Sequence, residues 1–106
     1  MLNQIVLVGR LTKDVETKEV EGGKKVAYIT LAIPKPFKNS EGEYETDFIP
    51  VLLYNEVGNT TREYCKKGDI IGVKGRIESE PNRICVIAEK VTFLQTGRGE
   101  EKWENI

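Results

Sequence analysis

Histidine is absent from this 106-residue sequence, and its two cysteines, Cys65 and Cys85, form no CxxC pair. These absences remove most zinc and transition-metal sites and leave no imidazole to activate a thiol or hydroxyl. Neither charge sign dominates. With 16 basic and 17 acidic residues the net charge is −1, so any affinity for a polyanion has to come from local patches. The apolar stretch Leu2 to Val8 is too short to span a membrane, and no basic leader or small-residue cleavage site accompanies it. The expectation is an intracellular protein with reduced thiols, no metal, no cofactor and no membrane contact. There is also no GxxxxGK[ST] pattern, so Glu21-Gly22-Gly23-Lys24 reads as a hairpin turn and not as a phosphate loop.

What is present is a succession of short strands. At 12.0 kDa the chain suits one domain with a self-sufficient core. Leu2 to Leu11 read with a period of two puts Ile5, Leu7, Gly9 and Leu11 on one face and Val6, Val8 and Arg10 on the other. Apolar weight on both faces, with a glycine inside, is what a closed barrel asks of a strand shared by its two halves. An ordinary central strand is the plainer alternative. Val15 to Val20 alternates weakly as a continuation of that strand. Lys25 to Ile33 follows, with Ala27, Ile29, Leu31 and Ile33 inward and Tyr28 and Thr30 outward, and Pro34 is expected to end it.

Residues 34–46 read as a polar loop carrying Lys35, Phe37, Lys38, Gly42 and Tyr44. An exposed Phe37 between lysines is either a binding residue or a ring folded back onto the barrel. In Asp47 to Tyr54, the aliphatic face Ile49, Val51 and Leu53 sends Phe48, Pro50, Leu52 and Tyr54 the other way. Two readings of Phe48 and Tyr54 stand: a covered patch under a loop or subunit, or a platform on which bases stack. Asn55 or Asn59 caps a short helix whose inward residues are Val57, Thr61, Tyr64 and Cys65, closed by Lys66-Lys67-Gly68. Asp69 to Ile77 is a fourth strand, with Ile71, Val73 and Ile77 inward and Lys74 and Arg76 outward. Glu78 to Asn82 is a turn. Ile84 to Leu94 is the fifth strand, with Ile87, Val91 and Phe93 in the core and Cys85 on the same parity. Residues 95–106 read as a short, disordered tail after a domain of residues 1–94.

Five strands with a helix between the third and fourth is the order of an all-β, five-stranded Greek-key barrel of the OB type. The residues carry a resemblance as well. The opening Leu2-Asn3-Gln4-Ile5-Val6-Leu7-Val8-Gly9-Arg10-Leu11-Thr12-Lys13-Asp14 resembles the start of the bacterial single-stranded DNA-binding protein family. It is followed in order by Tyr28-Ile29-Thr30-Leu31-Ala32, Asp47-Phe48-Ile49, Tyr64-Cys65-Lys66-Lys67-Gly68 and Gly72-Val73-Lys74-Gly75-Arg76-Ile77. The resemblance implies sequence-independent binding of single-stranded DNA in replication, recombination or repair, without catalysis. It places stacking aromatics at Phe37, Phe48 and Tyr54 and cations at Lys38 and Lys67. Lys35, Lys74, Arg76 and Arg10 complete the candidate contact set. It also implies a homotetramer, a contact that the outward Val6 and Val8 fit, and a cytoplasmic, nucleoid-associated location.

Three departures accompany the resemblance. Between the fourth and fifth strands only Glu78-Ser79-Glu80-Pro81-Asn82-Arg83 stands where the family has a long, basic, aromatic hairpin, and Glu78 and Glu80 repel a phosphate chain. The tail lacks the Gly/Pro-rich linker and acidic tip by which such proteins recruit replication and repair enzymes; Glu100 to Ile106 with Trp103 is a crude likeness of that tip. The rival function is therefore an OB-type protein-interaction module that has lost most strand binding. An enzyme finds no support, and the run Glu41, Glu43, Glu45, Asp47 reads as a solvated loop and strand end.

Overall fold

The computed structural model describes residues 1–95, apart from the side chain of Glu21. Its strands are β1 (Ile5–Leu11), β2 (Glu16–Glu19), β3 (Lys25–Lys38), β4 (Tyr44–Leu53), β5 (Ile70–Glu80) and β6 (Arg83–Gln95), with helix α1 (Asn55–Tyr64) between β4 and β5. β1 pairs with β5, β5 with β6, β6 with β4, β4 with β3, and β3 returns to β1, which closes a five-stranded barrel of the expected OB type. Among the described residues only the β4–β6 pairing is parallel. Two long antiparallel hairpins, β3–β4 and β5–β6 with β1 laid along β5, are thus joined by short seams. One is Arg10↔Ala32 and Leu11↔Leu31; the other is Val51↔Val86 through Leu53↔Ala88.

The period-two reading of β1 holds. Leu11 is buried, Ile5 and Leu7 pack against the core, and Val6 and Val8 are exposed. A Cβ on Gly9 would lie 2.7 Å from Ile33 Cγ1 and 3.0 Å from the Ala32 carbonyl oxygen, so a bare backbone lets β1 cross β3 closely. Leu31, Val51, Leu53, Ile71 and Val73 fill the interior. Asn3 prolongs the edge of β1 with its side chain: its amide donates to the Ile77 carbonyl at 2.6 Å and accepts the Ile77 N–H at 2.9 Å.

Several expectations need correction. Val15 to Val20 does not continue β1; its central residues form β2, which lies outside the ring against β3, with Thr17 opposite Ala27. Pro34 does not end its strand. β3 runs on to Lys38 and pairs with β4 from Pro34↔Thr46 to Lys38↔Tyr44, with an irregularity between. Proline's fixed φ suits an extended chain, and its missing N–H costs little where the ladder is interrupted. The turn expected over 78–82 shrinks to Pro81 and Asn82, because Glu80 pairs with Arg83. In β6 the core residues are Val86 and Ala88 rather than Ile87, which is buried on the outer parity. The ladder jumps from Gly75↔Ala88 to Lys74↔Lys90, and the extra Glu89 switches the inward parity before Val91. Ile77 and Phe93 are exposed, not core.

The helix sits where expected but its ends differ. Tyr54 is the N-cap residue and makes no side-chain capping bond. Gly58 and Thr61 are buried, and a Cβ on Gly58 would lie 2.9 Å from both Ala27 Cβ and the Leu53 carbonyl oxygen. Tyr64 is exposed and tilts against Phe93 at 5.8 Å between ring centroids. Gly68 does not follow the helix directly. It takes φ 93° inside a turn in which the Asp69 N–H donates to the Lys66 carbonyl at 3.0 Å. The expected tail, residues 96–106, lies outside the described residues; Gln95 belongs to β6.

Candidate nucleic-acid interface

Strand alternation in β4 sets the outer wall of the β3–β4 hairpin. Phe48, Pro50 and Leu52 face outward opposite Ala32, Thr30 and Tyr28 of β3, and Ile87 of β6 flanks Leu52 on its other side. Ala32 is too small to cover its neighbour, so the Phe48 ring stands 63% exposed. Tyr54, at the step from β4 into α1, is 42% exposed.

Because β3 and β4 continue past Pro34, the hairpin projects from the barrel as an arm. Asn39 holds its tip: the side-chain oxygen accepts the N–H groups of Glu41 at 2.9 Å and Glu43 at 3.0 Å, and Gly42 takes φ 77°. Along β4, Tyr44, Thr46 and Phe48 share one parity and Glu45 and Asp47 the other, so the rings and the carboxylates separate onto opposite faces. Lys38 pairs with Tyr44 and sets its ammonium 5.7 Å from the ring centroid. Tyr44 and Phe37 are 59% and 78% exposed.

Tyr44 is an exposed aromatic of this hairpin outside the candidate set read from the sequence. Its signal is the even spacing Tyr44, Thr46, Phe48, which a loop over residues 34–46 hides.

The nominated cations scatter. Lys35 is ion-paired with Asp47, a contact that raises the ammonium pKa and neutralises one carboxylate of the acidic face. Arg76 pairs with Glu78. Arg10 lies opposite Ala32, two strands from Phe48, but its Nη1 donates to the Gly68 carbonyl at 2.6 Å. Lys67 sits in the adjoining turn, where its backbone N–H donates to Asp14 Oδ1 at 2.7 Å. Lys74 stands between Val6 of β1 and Lys90 of β6, on the wall with the exposed valines. At the short β5–β6 tip, Glu80 accepts from Arg83 Nε at 2.9 Å and from the Cys85 thiol at 2.7 Å. The two hydrogen bonds hold the Glu80 carboxyl below its ordinary pKa. Phe37, Lys38, Tyr44 and Phe48 therefore sit on one hairpin, with Tyr54 at its step into α1; Lys35 on the same hairpin is held by Asp47, and Arg76 and Arg10 are engaged elsewhere. Among the described residues, no group of three or more cysteine, aspartate or glutamate side chains is placed to hold a metal ion.

Residues 2–94 match the model of the Single-strand binding protein family. The chain belongs to that family. Among its relatives in the family, single-stranded DNA-binding protein B of Bacillus subtilis (strain 168) is 44% identical over 79 residues, covering 74% of this chain and 70% of the relative. Single-stranded DNA-binding protein 3 of Listeria innocua is 40% identical over 105 residues, which covers 91% of this chain and 66% of that protein. The chain thus spans about two thirds of the length of these relatives. Of solved structures, a Plasmodium falciparum SSB in complex with ssDNA superposes with a TM-score of 0.73 at 26% identity, over 90% of this chain and 96% of that one. A deletion mutant of the single-stranded DNA binding protein from Thermus aquaticus gives 0.68 at 27% identity, over 92% of this chain and 52% of that one.

Proposed function

We propose that this chain binds single-stranded DNA with little sequence preference, as a non-catalytic protein of replication, recombination or repair. The observation that carries the reading is the separation on the β3–β4 hairpin. Exposed Tyr44, Phe48 and Tyr54, with Lys38 opposite Tyr44, project apart from the carboxylates of Glu45 and Asp47, and exposed Phe37 stands next to Lys38 in the chain on the same hairpin. Every base offers a π-face, so such a surface holds strands by stacking and carries almost no sequence code. Lys38, Lys67, Lys74 and Arg10 supply phosphate contacts in this reading, while Arg76 and Lys35 contribute after exchanging their carboxylate partners. A subunit contact through Val6 and Val8 makes a homo-oligomer, a tetramer by analogy with the family. Capture of replication or repair proteins by residues 98–106 belongs to the same proposal, and deleting them removes that capture without weakening DNA binding.

Titration of labelled oligo-dT at two or more salt concentrations tests the function. Four phosphate contacts give a log–log slope of roughly −3, at about −0.7 per contact for single strands. The paired charges Arg76–Glu78 and Arg83–Glu80 at the short hairpin favour a second reading, a protein-interaction module. Salt-independent affinity, or equal affinity for duplex, decides for that module.

A further inference from the structure

Beyond Tyr54 the outer wall of β4 runs into a cleft between α1 and the β2–β3 hairpin. Its floor is Ala27, Leu53 and Gly58, and its volume is about 270 Å³. The floor is low because Gly58 lets the helix backbone press onto Ala27 and the Leu53 carbonyl. The walls are Thr17 and Lys25 on one side and Asn55, Asn59 and Arg62 on the other. The three helical residues are spaced i, i+4 and i+7, which stacks them along one side of α1.

All five wall side chains can donate hydrogen bonds, and no carboxylate lines the cleft. Neither Lys25 nor Arg62 forms an ion pair among the described residues, although Glu19 stands opposite Lys25 in the ladder. They differ in this from Lys35, Arg76 and Arg83, each of which holds a carboxylate. The cleft is smaller than the 300–1,000 Å³ or so typical of small-molecule pockets, and it has no aromatic lining for a base. Its donors and size fit a phosphodiester group.

We infer that this cleft is a phosphate subsite that receives the backbone of the strand leaving Tyr54, with Arg62 and Lys25 as its charged ligands and Asn55, Asn59 and Thr17 as neutral donors. The inference rests on the proposed binding of single-stranded DNA. It extends the strand's course off the barrel wall and along the side of α1 that carries Asn55, Asn59 and Arg62, between the helix and the β2–β3 hairpin. Arg62, with its planar fork, fixes the phosphate, and Lys25 adds a mobile charge.

The test compares the full chain with Lys25→Ala/Arg62→Ala in oligo-dT titrations over a range of salt. Lys18→Ala, on the opposite parity of the same hairpin, controls for a general loss of positive charge. Two lost contacts make the log–log slope shallower by about 1.4. The control leaves it unchanged, and all three proteins retain the same unfolding midpoint. An unaltered slope in the double variant overturns the subsite while leaving the general function intact; failure of the wild type to bind oligo-dT overturns both. A parallel titration with inorganic phosphate, followed at the Arg62 side-chain N–H by NMR, separates the possible sources of the anion. Phosphate-induced shifts together with an unaltered oligo-dT slope show a free-anion pocket and refute the strand path.

Discussion

Gly75 of β5 lies so close under the Ile87 carbonyl of β6 that a Cβ built on it overlaps the oxygen and stands 2.9 Å from the carbonyl carbon and 3.1 Å from Ala88 Cα. All three atoms are backbone, so no rotamer change relieves the clash. The approach follows from the extra Glu89, which draws the two strands together where the register shifts. Gly75→Ala should therefore destabilise the barrel by about 3 kcal/mol or more, measured by urea unfolding. Gly9→Ala should cost less, because its nearest neighbour is the movable Ile33 side chain. Equal losses at the two positions would refute this account.

The aromatic wall makes the next prediction. Alanine at Phe37, Tyr44, Phe48 or Tyr54 should each weaken oligo-dT binding by about 1 to 3 kcal/mol, and Tyr44→Phe should bind as wild type, since the ring and not the hydroxyl does the stacking. Phe48 and Tyr54 are six residues apart, about 20 Å at the usual rise, so their effects should add. Unfolding midpoints should barely move, whereas Val73→Ala, at the buried centre, should cost about 2 kcal/mol of stability and leave the affinity unchanged. Large unfolding losses with unchanged affinity for the aromatic variants would turn the wall into a structural patch.

Much of this arrangement was legible in the sequence, for a definite reason. β1 and the barrel part of β4 keep a strict period of two with one aliphatic face, so Val6, Val8, Phe48 and Tyr54 could be assigned to the outside without any coordinates. In β6 one extra residue, Glu89, inverts the parity, and no composition signal marks a bulge, so an unbroken period of two points to Ile87 and not to Val86 and Ala88. The arm does not show in the sequence because Pro34 reads as a strand breaker, yet it stands at the edge of an interrupted stretch of ladder beyond which β3 continues. Without the arm, Tyr44 does not join the binding face. Nor could the sequence reveal which cations are already engaged, since pairs such as Lys35–Asp47 join residues on different strands.

Oligomerisation is checked by light scattering. Wild type at micromolar concentration should show a mass several times 12.0 kDa, and Val6→Lys/Val8→Lys should approach the monomer mass, because two ammonium groups in a dry contact cost several kcal/mol. Lys74 stands opposite Val6 in the ladder, with Lys90 beyond it, so a lysine at position 6 also meets like charge. A monomeric wild type would sink the subunit contact.

Alkaline pH should expose the state of Cys65. Burial, with a smaller contribution from Asp69, pushes its thiol up to about 12. The unfolded chain ionises the same thiol at about 8.5. The folded chain holds the proton more tightly, so the contribution is complete below about pH 8.5 and is lost progressively as the pH rises towards 12. Cys85 and Tyr28, each raised chiefly by its hydrogen bond to a glutamate, titrate in the same sense. Cys65→Ala should remove only part of the alkaline decline in unfolding free energy. An identical pH profile in the variant would show that the thiol is not protected by the fold.

The two short seams give the barrel an order of assembly. Each long hairpin closes a local loop, at Asn39 to Glu43 or at Pro81 and Asn82, so its ladder can zip early at little entropic cost. The seams join segments distant in sequence, Leu11 with Leu31 and Val51 with Val86, and depend on both hairpins being in place. Amide protons there should exchange through partial openings that leave the interiors of β3–β4 and β5–β6 protected. The rings of Tyr44, Phe48 and Tyr54 ride on one hairpin and do not straddle a seam. A barrel that has momentarily parted at β1–β3 or β4–β6 therefore still presents its stacking surface assembled, and a bound strand need not let go each time the ring opens.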